Sequence, residues 1–257
     1  MNSQLNSPHN KAHLTSLGIV IGKADYVIAL AGNPNTGKST VFNNLTGLRQ
    51  HTGNWPGKTV TRAEGSFSYG DKKYKLVDLP GTYSLLSTSA EEEVARNFIL
   101  FGQPDVTVIV ADATRLERNL NMVVQILEIT DRAVLCLNLM DEAKRNNISI
   151  NVQLLRKKLG IPVVPTTARQ KVGMNELITK IEEVVKGKYI CNPYQNKKRS
   201  SRLNHAITVL SEKLAEQFPG LSNMSWVALR LLEGDQRIIE AVQTKELEYL
   251  GKEITST

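Results

Sequence analysis

At 257 residues, with 41% apolar and 22% charged side chains, the chain has the composition of a folded globular protein of one large or two smaller domains. That excludes disordered and fibrous classes, and no apolar run approaches the ~18 residues of a membrane span, so a soluble polypeptide is expected. The formal charge of +7 suits an anionic partner (nucleotide, RNA or a lipid surface) without choosing among them.

Residues 1 to 23 are rich in Asn, Ser and His, show no period, and read as a mobile leader. Tyr26 to Ala31 is an apolar run ending in a turn, as a buried strand does. Lys38 to Leu45 reads as a helix. Thr59 to Tyr69 and Lys73 to Asp78 flank the Gly70-Asp71 turn and predict a hairpin. Ala90 to Leu100 predicts a helix, with Glu91, Glu92 and Glu93 where the helix dipole favours anions. Val106 to Ala111 and Ala133 to Leu139 read as strands covered on both faces. Helices are expected at Leu116 to Ile129, Val152 to Leu159 and Asn175 to Val185, with a last strand at Pro162 to Pro165. This alternation predicts an α/β fold with a mostly parallel sheet, over residues 24 to 187.

Residues 188 to 257 read as a polar, basic linker and a small all-helical domain. Its stripes are Leu203, Ile207, Leu210 and Leu214, then Trp226, Leu229 and Leu232, then Ile238, Val242, Leu247 and Leu250. The basic cluster Lys197, Lys198, Arg199 and Arg202 reads as solvated linker. Cys136 and Cys191 have no metal-ligand spacing, and Cys136 is expected to be an inert buried thiol. His9, His13, His51 and His205 are scattered and suggest no iron site.

Gly32, Asn33, Pro34, Asn35, Thr36, Gly37, Lys38 and Ser39 fit G-x-x-x-x-G-K-[ST], and Thr40 follows within the helix. The motif sits between a predicted strand and a predicted helix, the context it requires. Its backbone N–H groups and the helix N-terminus would converge on phosphate oxygens. Lys38 would neutralise the β and γ phosphates, and Ser39 would bind Mg²⁺. In the D-x-x-G segment Asp78 would hold Mg²⁺ through water, and the N–H of Gly81 would sense the γ-phosphate. In the N-x-x-D segment (Asn138 and Asp141) the carboxylate of Asp141 would accept from the ring N–H and amine of guanine. Thr167, Ala168 and Arg169 match the weak element that supports the base in GTPases, with Thr where Ser is commoner. The ligand is therefore read as GTP or GDP with Mg²⁺, and the activity as GTP hydrolysis. The order of motifs resembles the Ras-like P-loop GTPases over residues 25 to about 186. His51 to Val60 then falls where a mobile switch loop belongs. Thr59 is the candidate for Mg²⁺ in the triphosphate state, with Thr61 and Thr52 as alternatives.

The string Gly53-Asn54-Trp55-Pro56-Gly57-x-Thr59-Val60, joined to the phosphate loop and to Asp78 through Leu85, resembles the cytosolic N-terminal GTPase domain of the bacterial ferrous iron transporter B (FeoB) family. Trp226 through Asp235 is similar to that family's helical domain, which acts as a guanine-nucleotide-dissociation-inhibitor-like module. The resemblance implies a regulatory domain at the cytoplasmic face of the bacterial inner membrane. It would gate or drive Fe²⁺ uptake through switch loops, beside a membrane domain of the same transporter that this chain lacks. The chain is expected to be a piece of such a protein, possible homo-oligomer included, with no nucleic acid partner. The alternative is a ribosome- or RNA-associated assembly GTPase. Thr82 and Tyr83 stand where many GTPases carry a water-orienting Gln, so slow turnover is expected. By likeness to related GTPases, Asn35 would bind K⁺, with carbonyls of Gly53, Asn54 and Trp55 completing the shell.

Overall fold

The computed structural model describes residues 14–15, 17–86, 89–193, 200–219, 221, 223–245 and 247. These fall into two compact units divided near residue 194.

In the first unit, β1 (Tyr26–Gly32) is a continuous buried run that leads through the loop at residues 33–37 into α1 (Lys38–Thr46). Next come β2 (Gln50–Asn54), β3 (Thr61–Tyr69) and β4 (Lys72–Asp78). Then α2 (Ala90–Gly102) is capped by Ser89, whose side chain accepts from the N–H of Glu92. After β5 (Val106–Asp112) and α3 (Leu116–Ile129), β6 (Ala133–Asn138) leads into a short helix, α4 (Met140–Arg145). The unit continues through α5 (Val152–Leu159), β7 (Val163–Pro165) and α6 (Met174–Val185).

Among the described residues one sheet forms, in the order β2-β3-β4-β1-β5-β6-β7. Strands β4, β1, β5, β6 and β7 run parallel, and the β2–β3–β4 end is antiparallel. This is the expected α/β fold, with a mostly parallel sheet and helices on both faces. One face packs Ile28, Leu30, Leu76 and Val108 against Val41 and Phe42 of α1 and against Leu177 and Ile181 of α6. On the other, α3 packs against β5 and β1. Such apolar burial contributes about 25 cal/mol per Å² and dominates the stability. β1 lies between β4 and β5, so the carboxyl ends of these strands open onto the point where a doubly wound sheet takes its ligand.

The second unit is all helical: α7 (Ser201–Gln217) packs on α8 (Met224–Leu232), and α8 on α9 (Gln236–Gln243). Ile207, Leu214, Trp226, Leu229, Ile238 and Leu247 are buried, whereas Leu232 is exposed. Leu250 lies outside the described residues.

Of the expected mobile leader, residues 1–13 and 16 lie outside the described residues; in the remainder Leu14 and Ile19 are buried and the N–H of Ile19 bonds the carbonyl of Leu14. An apolar set that short has no period to read. The segment expected as a mobile loop contains β2, paired from Gln50↔Gly65 to Asn54↔Thr61. Its five residues are all exposed, so the ladder forms by backbone pairing with no apolar pattern to announce it. The expected polar linker starts on the first unit, where Tyr189 and Cys191 pack on the core and the N–H of Asn192 bonds the carbonyl of Gly160; residues 194–199 of it lie outside the described residues.

Candidate functional site

The loop from Gly32 to Gly37 is shaped by close approaches. A Cβ at Gly32 would strike the carbonyl oxygen of Val110 on β5. Gly37 has φ +82°, and a Cβ there would collide with the side-chain nitrogen of Asn138. Asn35 also takes a left-handed φ of 65°, which Asn tolerates, and its side chain is exposed. Thr36 is buried, and its hydroxyl donates to the carbonyl of Asn33 at 2.9 Å. Asn33 is buried too, with its side-chain nitrogen lacking a hydrogen-bond partner. Neither Asn33 nor Thr36 presents its side chain to solvent, so only their backbone groups are offered to a ligand. Ser39 and Thr40 are exposed at the start of α1, while Pro34 and Lys38 are partly buried.

Lys38 is ion-paired with Asp78 at the carboxyl end of β4. Burial pushes the Asp78 carboxyl above the ordinary range, and the Lys38 charge pulls against it. Three residues on, Gly81 lies against the backbone of Pro34: a Cβ there would sit 3.4 Å from the Pro34 nitrogen. The D-x-x-G segment therefore touches the phosphate loop at both of its ends. The donors it presents, the hydroxyl of Ser39 and the carboxylate of Asp78, are hard oxygen ligands of the kind Mg²⁺ takes. The residues present fit that ion.

Thr59 is exposed, and no hydrogen bond ties it to Ser39 or Asp78. The segment around it is held elsewhere. Lys58 pairs with Glu93 on α2 at 2.8 Å. Trp55 is only 2% exposed, edge-on to Phe98 at 5.6 Å. Gly53 and Asn54 lie in the β2–β3 ladder, and the Trp55 carbonyl accepts from the N–H of Lys58. The carbonyls of Gly53, Asn54 and Trp55 therefore belong to a paired ladder and a tight turn. Thr52 and Thr61 are exposed in the same ladder. Thr82 is buried against Met122, and Tyr83 stacks under Arg118 of α3, 4.2 Å from the ring centroid.

The Asn138 side chain is tied to two loops: the amide nitrogen donates to the carbonyl of Thr36 at 2.9 Å, and its oxygen accepts from the N–H of Ala168 at 3.0 Å. The Thr166 hydroxyl lies 3.2 Å from that same oxygen. Asn138 is thus a strut that locks the phosphate loop to the loop after β7. Sequence reasoning missed Thr166, which gives no local motif. Asp141 sits in the first turn of α4 beside a pocket of about 670 Å³ that Lys144, Ile148, Ile150 and Thr167 also line. Asp141 pairs loosely with Arg145 at 3.5 Å, so its carboxylate remains available to a donor pair. Arg169 is exposed, and Ala168 and Thr167 are buried behind it. Lys144 and Ile150 had no sequence signal, since their role comes from where the chain turns after α4. Among the described residues no group of His, Cys, Asp and Glu could hold a transition metal, and no helix is long and apolar enough to cross a membrane.

The family model described as ferrous iron transport protein B matches residues 26–181, and the FeoB cytosolic helical domain model matches residues 200–257. The Fe(2+) transporter FeoB of Escherichia coli (strain K12) is 40% identical over 217 residues, covering 81% of this chain and 27% of that protein. The chain thus spans about a quarter of the length of such relatives. The cytosolic domain of L. pneumophila FeoB is similar at 33% identity and TM-score 0.77, with 86% of this chain and 87% of that one covered. The cytosolic domain of the T. maritima FeoB iron transporter in its GMPPNP form matches at 35% identity and TM-score 0.76, covering 90% and 88%. The FeoB G-domain from Methanococcus jannaschii is 47% identical at TM-score 0.56, covering 63% of this chain and 97% of that one.

Proposed function

The chain belongs to the ferrous iron transport protein B family, and from that premise we propose that it binds guanine nucleotide with Mg²⁺, hydrolyses GTP slowly, and regulates Fe²⁺ passage through a membrane domain joined to it. The observation that carries this reading is the Asn138 strut, which holds a phosphate-binding loop and a base pocket in one frame. In that frame Lys38 leaves Asp78 for the β and γ phosphates, and the backbone N–H groups of residues 33–38 surround them. Asp141 accepts from guanine in the pocket beside Thr167 and Lys144. Adenine lacks that donor pair and would leave the carboxylate unpaired. Mg²⁺ on Ser39 and Asp78 supplies charge neutralisation at the phosphates. Thr59 joins them only after its segment leaves Lys58–Glu93, a rearrangement that would make residues 55–60 a nucleotide-dependent switch.

With no Gln after D-x-x-G, the attacking water is placed by backbone groups. Turnover without a partner is then roughly 10⁻⁴ to 10⁻² per second, which suits a gate. Asn35, exposed on a left-handed turn beside the phosphates, offers its side-chain oxygen to K⁺. The test is steady-state GTP hydrolysis in KCl against NaCl at matched ionic strength, with ATP and EDTA controls. Mg²⁺-dependent GTP turnover well above ATP turnover is expected, higher in KCl than in NaCl. Equal rates in the two salts remove the K⁺ role of Asn35, and no GTP turnover in either removes the whole reading.

A further inference from the structure

Far along the sheet from β5, a second pocket of about 490 Å³ opens where the chain enters β1 beside the β2–β3–β4 end. Lys23, Arg49, His51, Ser66, Lys73 and Lys75 all line it. Strand alternation explains why. On β3 and β4 the residues Ala63, Phe67, Tyr74 and Leu76 face the α1–α6 core. Their neighbours Ser66, Lys73 and Lys75 therefore point to the opposite face. Ser66 stands directly across from Lys75 in the ladder, and this short side chain leaves room above the strands. Lys23 closes the pocket from one side, and Arg49, at the turn between α1 and β2, from another.

The charge is unbalanced. No carboxylate lines the pocket. Lys75 is paired with Glu64 at 2.5 Å, but no salt bridge engages Lys23, Arg49 or Lys73 among the described residues. With Lys75 paired to Glu64 and Lys73 beside the Asp25 carboxylate, Lys23 and Arg49 are the cations left to focus a positive potential on this concave surface, which favours a phosphoryl anion. Two apolar side chains nearby are open to solvent: Val20, which lines the pocket, is 75% exposed, and Leu48, which precedes Arg49 in the chain, is 73% exposed. Apolar groups beside a basic cluster are what an interfacial membrane contact requires, since each covers a different layer of the bilayer surface. Among the described residues no Phe, Tyr or Trp lines the pocket, so His51 and Arg49 are the stacking surfaces it offers a single-stranded RNA.

The geometry points to this pocket as a docking site for the phosphate headgroup of an anionic phospholipid, with Lys23 and Arg49 on the phosphate and Val20 and Leu48 entering the interface. The lipid as source rests on the reading that the chain works beside a membrane; the anion site itself does not. Contact here would set how the β2–β3 end, and with it the proposed switch, meets the bilayer.

The experiment is co-sedimentation of the full 257-residue chain, saturated with GDP to occupy the phosphate loop, with phosphatidylcholine vesicles containing or lacking phosphatidylglycerol. Binding only to the anionic vesicles is expected, weakened at least tenfold in the pair Lys23→Glu and Arg49→Glu, because each lost basic contact and each added repulsion costs affinity. A charge-matched pair on the exposed side of α5, Lys157→Glu and Lys158→Glu, should leave binding unchanged; an equal loss there reduces the effect to net charge and overturns the site. Melting temperature and GDP affinity, measured on the same samples, confirm that the variants fold. They also separate the two ideas, since GDP affinity can fail while vesicle binding holds. Titration with inorganic phosphate and retention of single-stranded RNA are run in parallel. Binding of either without binding to anionic vesicles overturns the lipid assignment, as does no binding at all.

Discussion

The side-chain amide of Asn138 donates to the carbonyl of Thr36 at 2.9 Å while its oxygen accepts from the N–H of Ala168, so one buried residue bridges two loops, 102 residues before it and 30 after it. Asn138 is 1% exposed, and a Cβ on the neighbouring Gly37 would occupy the amide's place. Asn138→Ala leaves the Thr36 carbonyl and the Ala168 N–H without this partner, a cost of about 1–3 kcal/mol for each buried group left unpaired. The variant should melt several degrees lower and bind GDP at least tenfold more weakly. Gly37→Ala should lose GDP binding by another route, since its Cβ drives into the intact strut. Calorimetry of the two variants with and without GDP checks both, and wild-type GDP affinity in Asn138→Ala would remove the strut from the site.

Much of this site was legible because phosphate binding is local. Gly32 to Ser39 is a contiguous loop whose glycines and lysine are all visible in the string. The α/β alternation was equally readable, since β1, β5 and β6 are unbroken apolar runs. What escaped was non-local. The role of Asn138 depends on Thr36 and Ala168 arriving from different strands. β2 has five exposed residues, none of them apolar in side chain, and is a strand only because Thr61 to Gly65 lies alongside. The burial of Leu14 and Ile19 depends on the surface they meet, which short apolar spacing cannot specify.

Lys38 and Asp78 neutralise one another in the free protein, so binding of nucleotide and Mg²⁺ must separate them. On the proposed reading, Asp78→Asn frees Lys38 for phosphate but takes from Mg²⁺ an oxygen donor of full charge. GDP affinity measured in EDTA should hold or rise slightly. The Mg²⁺ concentration that half-saturates hydrolysis should rise about tenfold, in line with losses at supporting metal contacts. Parallel loss of GDP affinity in EDTA would instead make Asp78 a structural support of the loop.

Cys136 is fully buried on β6, and burial pushes its thiol up to about 12, partly offset by the Thr166 hydroxyl at 3.2 Å. The unfolded thiol titrates near 9.0, so between there and about 12 the unfolded chain has lost a proton that the folded chain keeps. Stability therefore falls as pH rises through that window, with a limiting slope of about 1.4 kcal/mol per pH unit from this group. Urea unfolding from pH 8 to 10.5 should show that decline, and Cys136→Ala should flatten it while costing about 1–2 kcal/mol at pH 8 from the small cavity left. At pH 8 an aromatic disulfide reagent should leave Cys136 unlabelled in the native protein. Rapid native labelling there would contradict its burial.

Arg62 gathers three otherwise separate pieces. Its Nη1 donates to the carbonyl of Leu17 at 2.8 Å, its Nε pairs with Glu64 at 2.8 Å, and its guanidinium lies 5.6 Å from the centroid of Trp55. The residue after Leu17, Gly18, passes so close that a Cβ would stand 2.6 Å from Nη1. Arg62→Ala deletes the anchor of residues 17–19 and the lid over Trp55, and leaves Glu64 with Lys75 alone. A loss of about 2 kcal/mol is expected, because one partner of a buried, hydrogen-bonded charge pair is removed. Arg62→Lys should recover only part of it, since an ammonium cannot reach Glu64 and Leu17 together in the planar fork that Arg presents. Two readouts separate a local anchor from general weakening. In a Trp226→Phe background Trp55 is the sole indole, and its emission should shift to the red in Arg62→Ala under fully native conditions. Trypsin should cut at Lys23 faster than in a variant destabilised equally from within the helical unit, such as Leu214→Ala. Equal cutting rates in these two variants would reduce Arg62 to an ordinary contributor to stability.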